Sequence, residues 1–219
     1  MSRMPIKERS SKIYDALTQY FPDARCELNH VGAFQLLIAT ILSAQCTDVQ
    51  VNKVTPILFK KFPTPAMMAN ASLTDLMEII KSTGFYKSKA KNIKLCSQKL
   101  VMEFYEKVPK TMAELTSLPG VGRKTANVVL GNAFNINDGI VVDTHVKRIS
   151  NLLNLTNKAN PVKIEQDLVK IFPQKTWCNL SHLFIFLGRK ICVARRPRCE
   201  ECPINIYCPS KKINKSSKF

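Results

Sequence analysis

An all-α fold is what this sequence predicts, on three observations. Apolar residues recur at i, i+3, i+4 and i+7 in one segment after another. Many of these segments open on a cap residue and close on glycine or proline: Ser72, Thr111 and Asn160 stand at starts, Pro22, Gly84 and Pro173 at ends. No stretch of useful length alternates apolar with polar residues, as a half-buried strand would. About ten helices are expected, without a convincing repeat or a long low-complexity segment.

The elements follow in order. Residues 5–21 form a helix with Ile13, Ala16, Leu17, Tyr20 and Phe21 on one face, ended by Pro22. Residues 33–43, AFQLLIATILS, are apolar nearly all round, which marks a central buried helix. In the polar link Ser43 to Asp48, Gln45 reads as a loop amide. Thr47 or Asp48 caps the next helix, with Val51, Val54 and Leu58 inward. Ser72-Leu73-Thr74-Asp75 resembles a capping box with Asp in place of Glu, and its helix runs through Leu76, Ile79 and Ile80 to Gly84. Gly84-Phe85-Tyr86-Lys87 is a turn. Residues 87–105 form a long helix with Ile93, Cys96, Leu100 and Phe104 inward. Lys87, Lys89, Lys91 and Lys94 crowd its start, either as a solvated face or as a surface for a polyanion. Thr111 to Glu114 is a second capping box and opens a short helix. Beyond Asn154, one helix starts at Asn160-Pro161 and packs Leu168, Ile171 and Phe172. Thr176 starts another, with Leu180, Leu183, Phe184 and Leu187 on one side. Lys211 to Phe219 is a polar, basic, frayed end.

At 219 residues the chain holds one large or two small domains, and 45% hydrophobic content leaves material for a core. The net charge of +17 points to nucleic acid more than to an anionic membrane. Met1 to Tyr20 is polar and charged, unlike a signal peptide, and the longest apolar run, Leu36 to Leu42, is too short to span a bilayer. A cytoplasmic protein is therefore expected, and a monomer is the partner state expected of it. Of eight cysteines, Cys26, Cys46, Cys96 and Cys178 are scattered and read as free and mostly buried. Cys192, Cys199, Cys202 and Cys208 are crowded together as C-x6-C-x2-C-x5-C. In a reducing cytosol such crowding means metal rather than disulfides. Four thiolates suit a tetrahedral zinc or a cubane iron–sulfur cluster, and their chemistry alone does not decide.

The chain is organised around Leu118 to His145, LPGVGRKTANVVLGNAFNINDGIVVDTH. Pro119 fixes φ, and Gly120 and Gly122 permit a tight hairpin around Val121. A helix follows, with Ala126, Val129, Leu130, Ala133 and Phe134 on one face. A glycine turn feeding a helix N-terminus aims backbone N–H groups at one point, which is an anion site. Arg123 and Lys124 fall in the first helical turn, where cations oppose the helix dipole at about 0.3–1 kcal/mol each. They read either as two solvated cations or as partners of a bound phosphate. Nucleophilic work needs a neutral amine, and only about one ordinary lysine in two thousand is neutral at pH 7. Partial burial and neighbouring cations are expected to supply the bias. Asp143 follows the apolar run Ile140-Val141-Val142 and stands at the N-cap of a helix carrying Val146, Ile149 and Leu153. A cap is also a fixed, ionised carboxylate, so the two roles coexist.

LPGVGRKTANVVL followed by VDTH resembles the helix-hairpin-helix DNA glycosylases of the endonuclease III type, and the likeness runs from about residue 12 to Cys208. The resemblance implies two helical lobes. One spans 25–136 with six helices and contains the helix-hairpin-helix motif at 112–134; the other joins 1–24 to 137–219 and carries the cysteine loop. It implies that Lys124 is the nucleophile and Asp143, nineteen residues on, its acidic partner. The backbone of Gly120, Val121 and Gly122 would hold a DNA phosphate, and Gln45 would fill the gap left by a flipped nucleotide. Phe85 stands where the family usually carries a leucine wedge. The spacing of Cys192, Cys199, Cys202 and Cys208 matches the family's [4Fe–4S] loop. Arg195, Arg196 and Arg198 inside that loop would balance its charge and reach DNA. The activity implied is removal of oxidised or ring-saturated pyrimidines from damaged double-stranded DNA, then strand cleavage 3′ to the abasic site by β-elimination. A monofunctional relative is a rival that Lys124 argues against. A non-catalytic DNA-binding module with a structural metal would leave Lys124 and Asp143 unexplained. His145 is assigned no role.

Overall fold

The protein is described by a computed structural model over residues 4–211, and the end from Lys212 to Phe219 lies outside the described residues. Among the described residues there are eleven α-helices, three short 3-10 turns and no strand. None of the helices is long and apolar enough to cross a membrane. The chain divides into two compact units, residues 27–138 and residues 1–26 with 139–219.

The 27–138 unit is built on α2 (Gly32–Leu42), buried at every position from Leu36 to Leu42. Each large apolar side chain withdrawn from water there contributes about 1.5–3 kcal/mol, so the helix needs neighbours on all sides. They are α3 (Asp48–Lys61), α6 (Tyr86–Phe104) and α8 (Arg123–Phe134), on which α4 (Pro65–Asn70), α5 (Leu73–Ile80) and α7 (Met112–Thr116) pack in turn. That is seven α-helices rather than the six expected. The extra one is α4, capped by Thr64 with Pro65 in its first turn, whose six residues are too few to show a period. Of the two candidate caps for α3, Thr47 serves, its hydroxyl accepting from the Gln50 N–H at 3.2 Å. Ser72 likewise accepts from Asp75 N–H at 3.0 Å.

The four-lysine face expected at the start of α6 is split. Lys87 and Lys91 are exposed, but Lys89 is only 4% exposed, and its Nζ donates to the Thr83 carbonyl at 2.7 Å. Lys94 Nζ donates to the Ala71 carbonyl at 2.7 Å. Two of the four cations therefore tie backbone together instead of facing solvent.

In the other unit, α1 (Ile6–Tyr20) packs with α9 (Thr144–Leu152), α10 (Pro161–Ile171) and α11 (Trp177–Lys190) around Ile13, Leu17, Val146, Ile149, Leu168 and Phe184. Asn160 caps α10 through the N–H groups of Val162 and Lys163, with Pro161 at the first helical position. Arg9 fastens α1 to the C-terminal half, donating to the Leu153 carbonyl at 2.7 Å and the Tyr207 carbonyl at 3.1 Å. The close approach of α9 and α11 depends on Gly188: a Cβ there would lie 2.7 Å from His145 Nδ1 and 3.0 Å from His145 Cβ.

Candidate active site

The hairpin before α8 is set by local chemistry. Thr111 accepts from Glu114 N–H at 3.3 Å and donates to its carboxylate at 2.6 Å, fixing the start of α7. Leu118 and Val121 are buried, which anchors the turn, and Val121 N–H closes it onto the Leu118 carbonyl at 3.1 Å. Gly120 sits at φ +79°, and a Cβ there would come within 2.9 Å of Asn92 Cβ on α6. Both the backbone angle and the space require glycine. Gly122 caps α8 from an extended backbone and offers no side chain to the first-turn N–H groups. Lys124 is exposed in that first turn. The expected partial burial of its amine is thus not provided by the free protein.

Two further turns in the same unit carry Gln45 and Phe85. Both residues lie in the left-handed region, at φ 52° and 46°, and both are exposed, Phe85 by 68%. Non-glycine residues adopt this conformation at a cost and only where their surroundings impose it. Phe85 is the N-cap of α6 yet has no capping side chain. Gln50 Nε2 donates to Ser82 Oγ at 2.7 Å, so the start of α3 is tied to the turn that leads to Phe85. Tyr86 is half-buried, as packing against a neighbour requires.

Asp143 belongs to the other unit. Its Oδ1 accepts from Val146 N–H at 2.8 Å, so it caps α9, and it is half-buried. Arg148, one turn further along α9, donates to the carbonyls of Gly188 at 3.1 Å and Cys192 at 2.6 Å. The helix that begins at Asp143 is thereby locked to the entrance of the cysteine loop.

Cys192, Cys199, Cys202 and Cys208 line one small cavity with Ile191, Pro197 and Asn205. Each is half-buried and outside any disulfide. Burial pushes the Cys202 thiol up to about 11, and the charges of the other three add to the rise. Burial also raises Cys192 and Cys208. Four soft donors around one apolar cavity fit a cationic cluster taking one thiolate per iron. Among the described residues no three Cys, His, Asp or Glu side chains close on a single ion. The loop arginines Arg195, Arg196 and Arg198 are all exposed, and Arg198 is also engaged by Glu201 at 2.9 Å and by the Lys190 carbonyl. Among the scattered cysteines only Cys96 is fully buried, its thiol pushed up to about 12. Cys26, Cys46 and Cys178 are half-buried. Nothing in the sequence marks Lys89 or Arg148 as a site residue; a buried lysine has no signature there.

Comparison with known proteins bears on the same residues. Residues 38–174 match the model of the HhH-GPD superfamily base excision DNA repair proteins, and residues 192–208 match the iron–sulfur binding domain of endonuclease III. The chain is 50% identical to the endonuclease III of Synechocystis sp. over 95% of each sequence. It superposes on a non-covalent endonuclease III–DNA complex with a TM-score of 0.88 at 42% identity, covering 95% of this chain and 97% of that one. A trapped endonuclease III–DNA covalent intermediate gives the same TM-score and identity, with 95% and 98% covered.

Proposed function

The chain belongs to the endonuclease III family within the HhH-GPD superfamily, and from that premise we propose that Lys124 is its nucleophile and Asp143 the carboxylate that works with it. The protein is a bifunctional DNA glycosylase and abasic-site lyase of base excision repair that removes oxidised pyrimidines, and it carries a [4Fe–4S] cluster. The observation that carries the residue assignment is local: an exposed amine in the first turn of α8, directly after a hairpin whose glycines offer backbone and no side chain.

The reaction follows from that arrangement. Backbone N–H groups of Gly120 and Gly122 hold a phosphate, that of Val121 being engaged by the Leu118 carbonyl, and the damaged nucleotide is turned out of the duplex at a cost of a few kcal/mol. Gln45 and Phe85 fill the space it leaves. Phe85 brings a larger ring than the family's usual leucine. Since Lys124 is exposed, the desolvation that a neutral amine needs comes from the DNA laid over it. The Nζ lone pair forms a bond to C1′, the glycosidic C–N bond breaks, and its electrons leave with the base, which takes a proton. Asp143 steadies the positive charge that develops on the sugar and accepts the proton lost from the amine. The nitrogen lone pair then expels O4′, which takes a proton as the sugar ring opens, and the C1′ imine so formed makes the C2′ proton acidic. Its removal places a double bond between C2′ and C3′ and expels the 3′ phosphate. Cys192, Cys199, Cys202 and Cys208 would hold the cluster, which supplies the folding of a loop too small for its own core. A reducing cytoplasm is the compartment proposed, because it keeps these thiols available.

Borohydride trapping on a duplex with one abasic site tests the nucleophile. The wild type should form a covalent adduct and Lys124→Ala none. An undiminished adduct with Lys124→Ala would overturn the assignment.

A further inference from the structure

We infer that Lys89 is a positioning residue that holds the strained turn bearing Phe85, beside the one bearing Gln45, in the shape that enters duplex DNA. The inference rests on the reading of Gln45 and Phe85 as the pair that fills the gap left by the flipped nucleotide.

Lys89 sits in the first turns of α6, only 4% exposed. Its side chain and its backbone grip the same turn from opposite ends. Nζ donates to the Thr83 carbonyl at 2.7 Å, and the backbone N–H donates to the Phe85 carbonyl at 3.0 Å. Between these two carbonyls lie Gly84 at φ +68° and Phe85 at φ +46°. Thr83 is itself buried and bonded through its hydroxyl to the Ile80 carbonyl at 2.8 Å, so the far end of the grip is fixed.

The ammonium also borders the other turn. Cys46, next to Gln45, lies near enough that a thiolate there would act on Lys89 against the effect of burial. Burial is the larger influence and lowers the lysine's proton affinity. The Gln50–Ser82 hydrogen bond at 2.7 Å joins the two segments a second time.

A structural account alone does not require an ammonium here. Withdrawing a charge from water is expensive, and among the described residues no carboxylate pairs with Lys89. A methionine would fill a similar volume without that cost. What methionine cannot do is donate a strong hydrogen bond to the Thr83 carbonyl and so keep Phe85 in a backbone conformation it does not favour. A wedge that must push into a stacked duplex gains from being preset, because every rotamer and backbone state left free would have to be frozen on binding.

The test compares duplex with single-stranded DNA, because only the duplex has a stack to enter. Borohydride trapping rates are measured on an abasic site in both contexts for wild type, Gln45→Ala, Phe85→Ala and Lys89→Met. Fluorescence of 2-aminopurine opposite the site reports unstacking. The expected result is a fall of about tenfold or more in the duplex to single-strand rate ratio for Lys89→Met, with weaker 2-aminopurine signal. If Gln45→Ala and Phe85→Ala leave the ratio unmoved, the wedge reading itself fails. If they lower it and Lys89→Met does not, or if Lys89→Met slows both DNAs equally, the inference about Lys89 is overturned. Should Lys89→Met not fold, Lys89→Arg keeps charge and donors but displaces them within a confined space. It should lower the same ratio by a smaller factor, and an unmoved ratio counts against the inference.

Discussion

Asp143 caps a helix and is proposed to act in catalysis, two functions that paired substitutions separate. Its carboxylate caps α9 through a 2.8 Å bond from Val146 N–H, and it is proposed to act as a charged group in catalysis. The Asp143→Asn variant retains an oxygen that accepts the same N–H and loses the charge; Asp143→Ala loses both. Asn and Asp are comparable caps, so Asp143→Asn should cost only the anion–dipole contribution, about 0.5 kcal/mol. Asp143→Ala adds the lost cap and should cost about 1–2 kcal/mol in total. Catalysis should order the variants differently. Both should lose about two to four orders of magnitude in single-turnover nicking of an abasic duplex, because proton transfer and charge stabilisation both need the carboxylate. Urea unfolding gives the stability side and single-turnover kinetics the other. If Asp143→Asn nicks within about threefold of wild type while Asp143→Ala does not, the cap is what matters and the charge is dispensable. If Asp143→Ala is as stable as Asp143→Asn, the cap argument fails.

Three further outcomes are expected. Burial lowers the His182 pKa from 6.5 to about 4, so between those values the unfolded chain binds a proton that the folded one refuses, and stability falls as pH falls through that window. From pH 7 to pH 5 this amounts to at most about 2 kcal/mol, and a wild type to His182→Gln stability gap identical at the two pH values would contradict it. Gly188→Ala gains about 1 kcal/mol of helix propensity but drives a methyl to 2.7 Å from His145 Nδ1, so a net loss of about 1 kcal/mol is expected by urea unfolding; a variant as stable as wild type would show that α9 and α11 do not pack so closely. Removing iron should change far-UV circular dichroism little, since the 192–208 segment holds one short turn, Asn205–Tyr207, while trypsin cleaves faster after Arg195 and Arg198. A large loss of ellipticity without new cleavage there would mean that the cluster supports the helices rather than the loop.

The parts of this protein that could be read from its sequence are those whose physics is local. Ser72, Thr111, Asn160 and Asp143 announce helix starts because a cap needs only a short polar side chain two or three residues before the N–H it serves. Gly120 announces a hairpin because no other residue suits φ +79° in so little space. The parts that could not be read are imposed by packing. Lys89 looks like its neighbours Lys87 and Lys91, and only the surroundings of α6 bury it. Gln45 and Phe85 give no hint of positive φ, because for such residues that conformation is forced from outside. The helix α4 is too short for periodicity, and the engagement of Arg198 depends on a fold of the cysteine loop that composition does not encode.

One regularity links the candidate residues across both units. Gln45 precedes α3 by three residues, Phe85 is the N-cap of α6, Lys124 lies in the first turn of α8 and Asp143 caps α9. Helix N-termini present N–H groups whose partial positive charge is permanent. That permanence matters for this chemistry. An amine that attacks carbon must first lose its proton, and having lost it the amine no longer attracts phosphate. If Lys124 also anchored the DNA, the substrate would loosen as the nucleophile became competent. On the proposed reading the phosphate is held through the backbone N–H groups of Gly120 and Gly122, which separates the two tasks, because a peptide N–H keeps its dipole whatever the charge on the neighbouring side chain. The same logic accounts for a glycine at the cap of α8: a Ser, Thr or Asp there would place its own oxygen on the N–H groups that the phosphate needs.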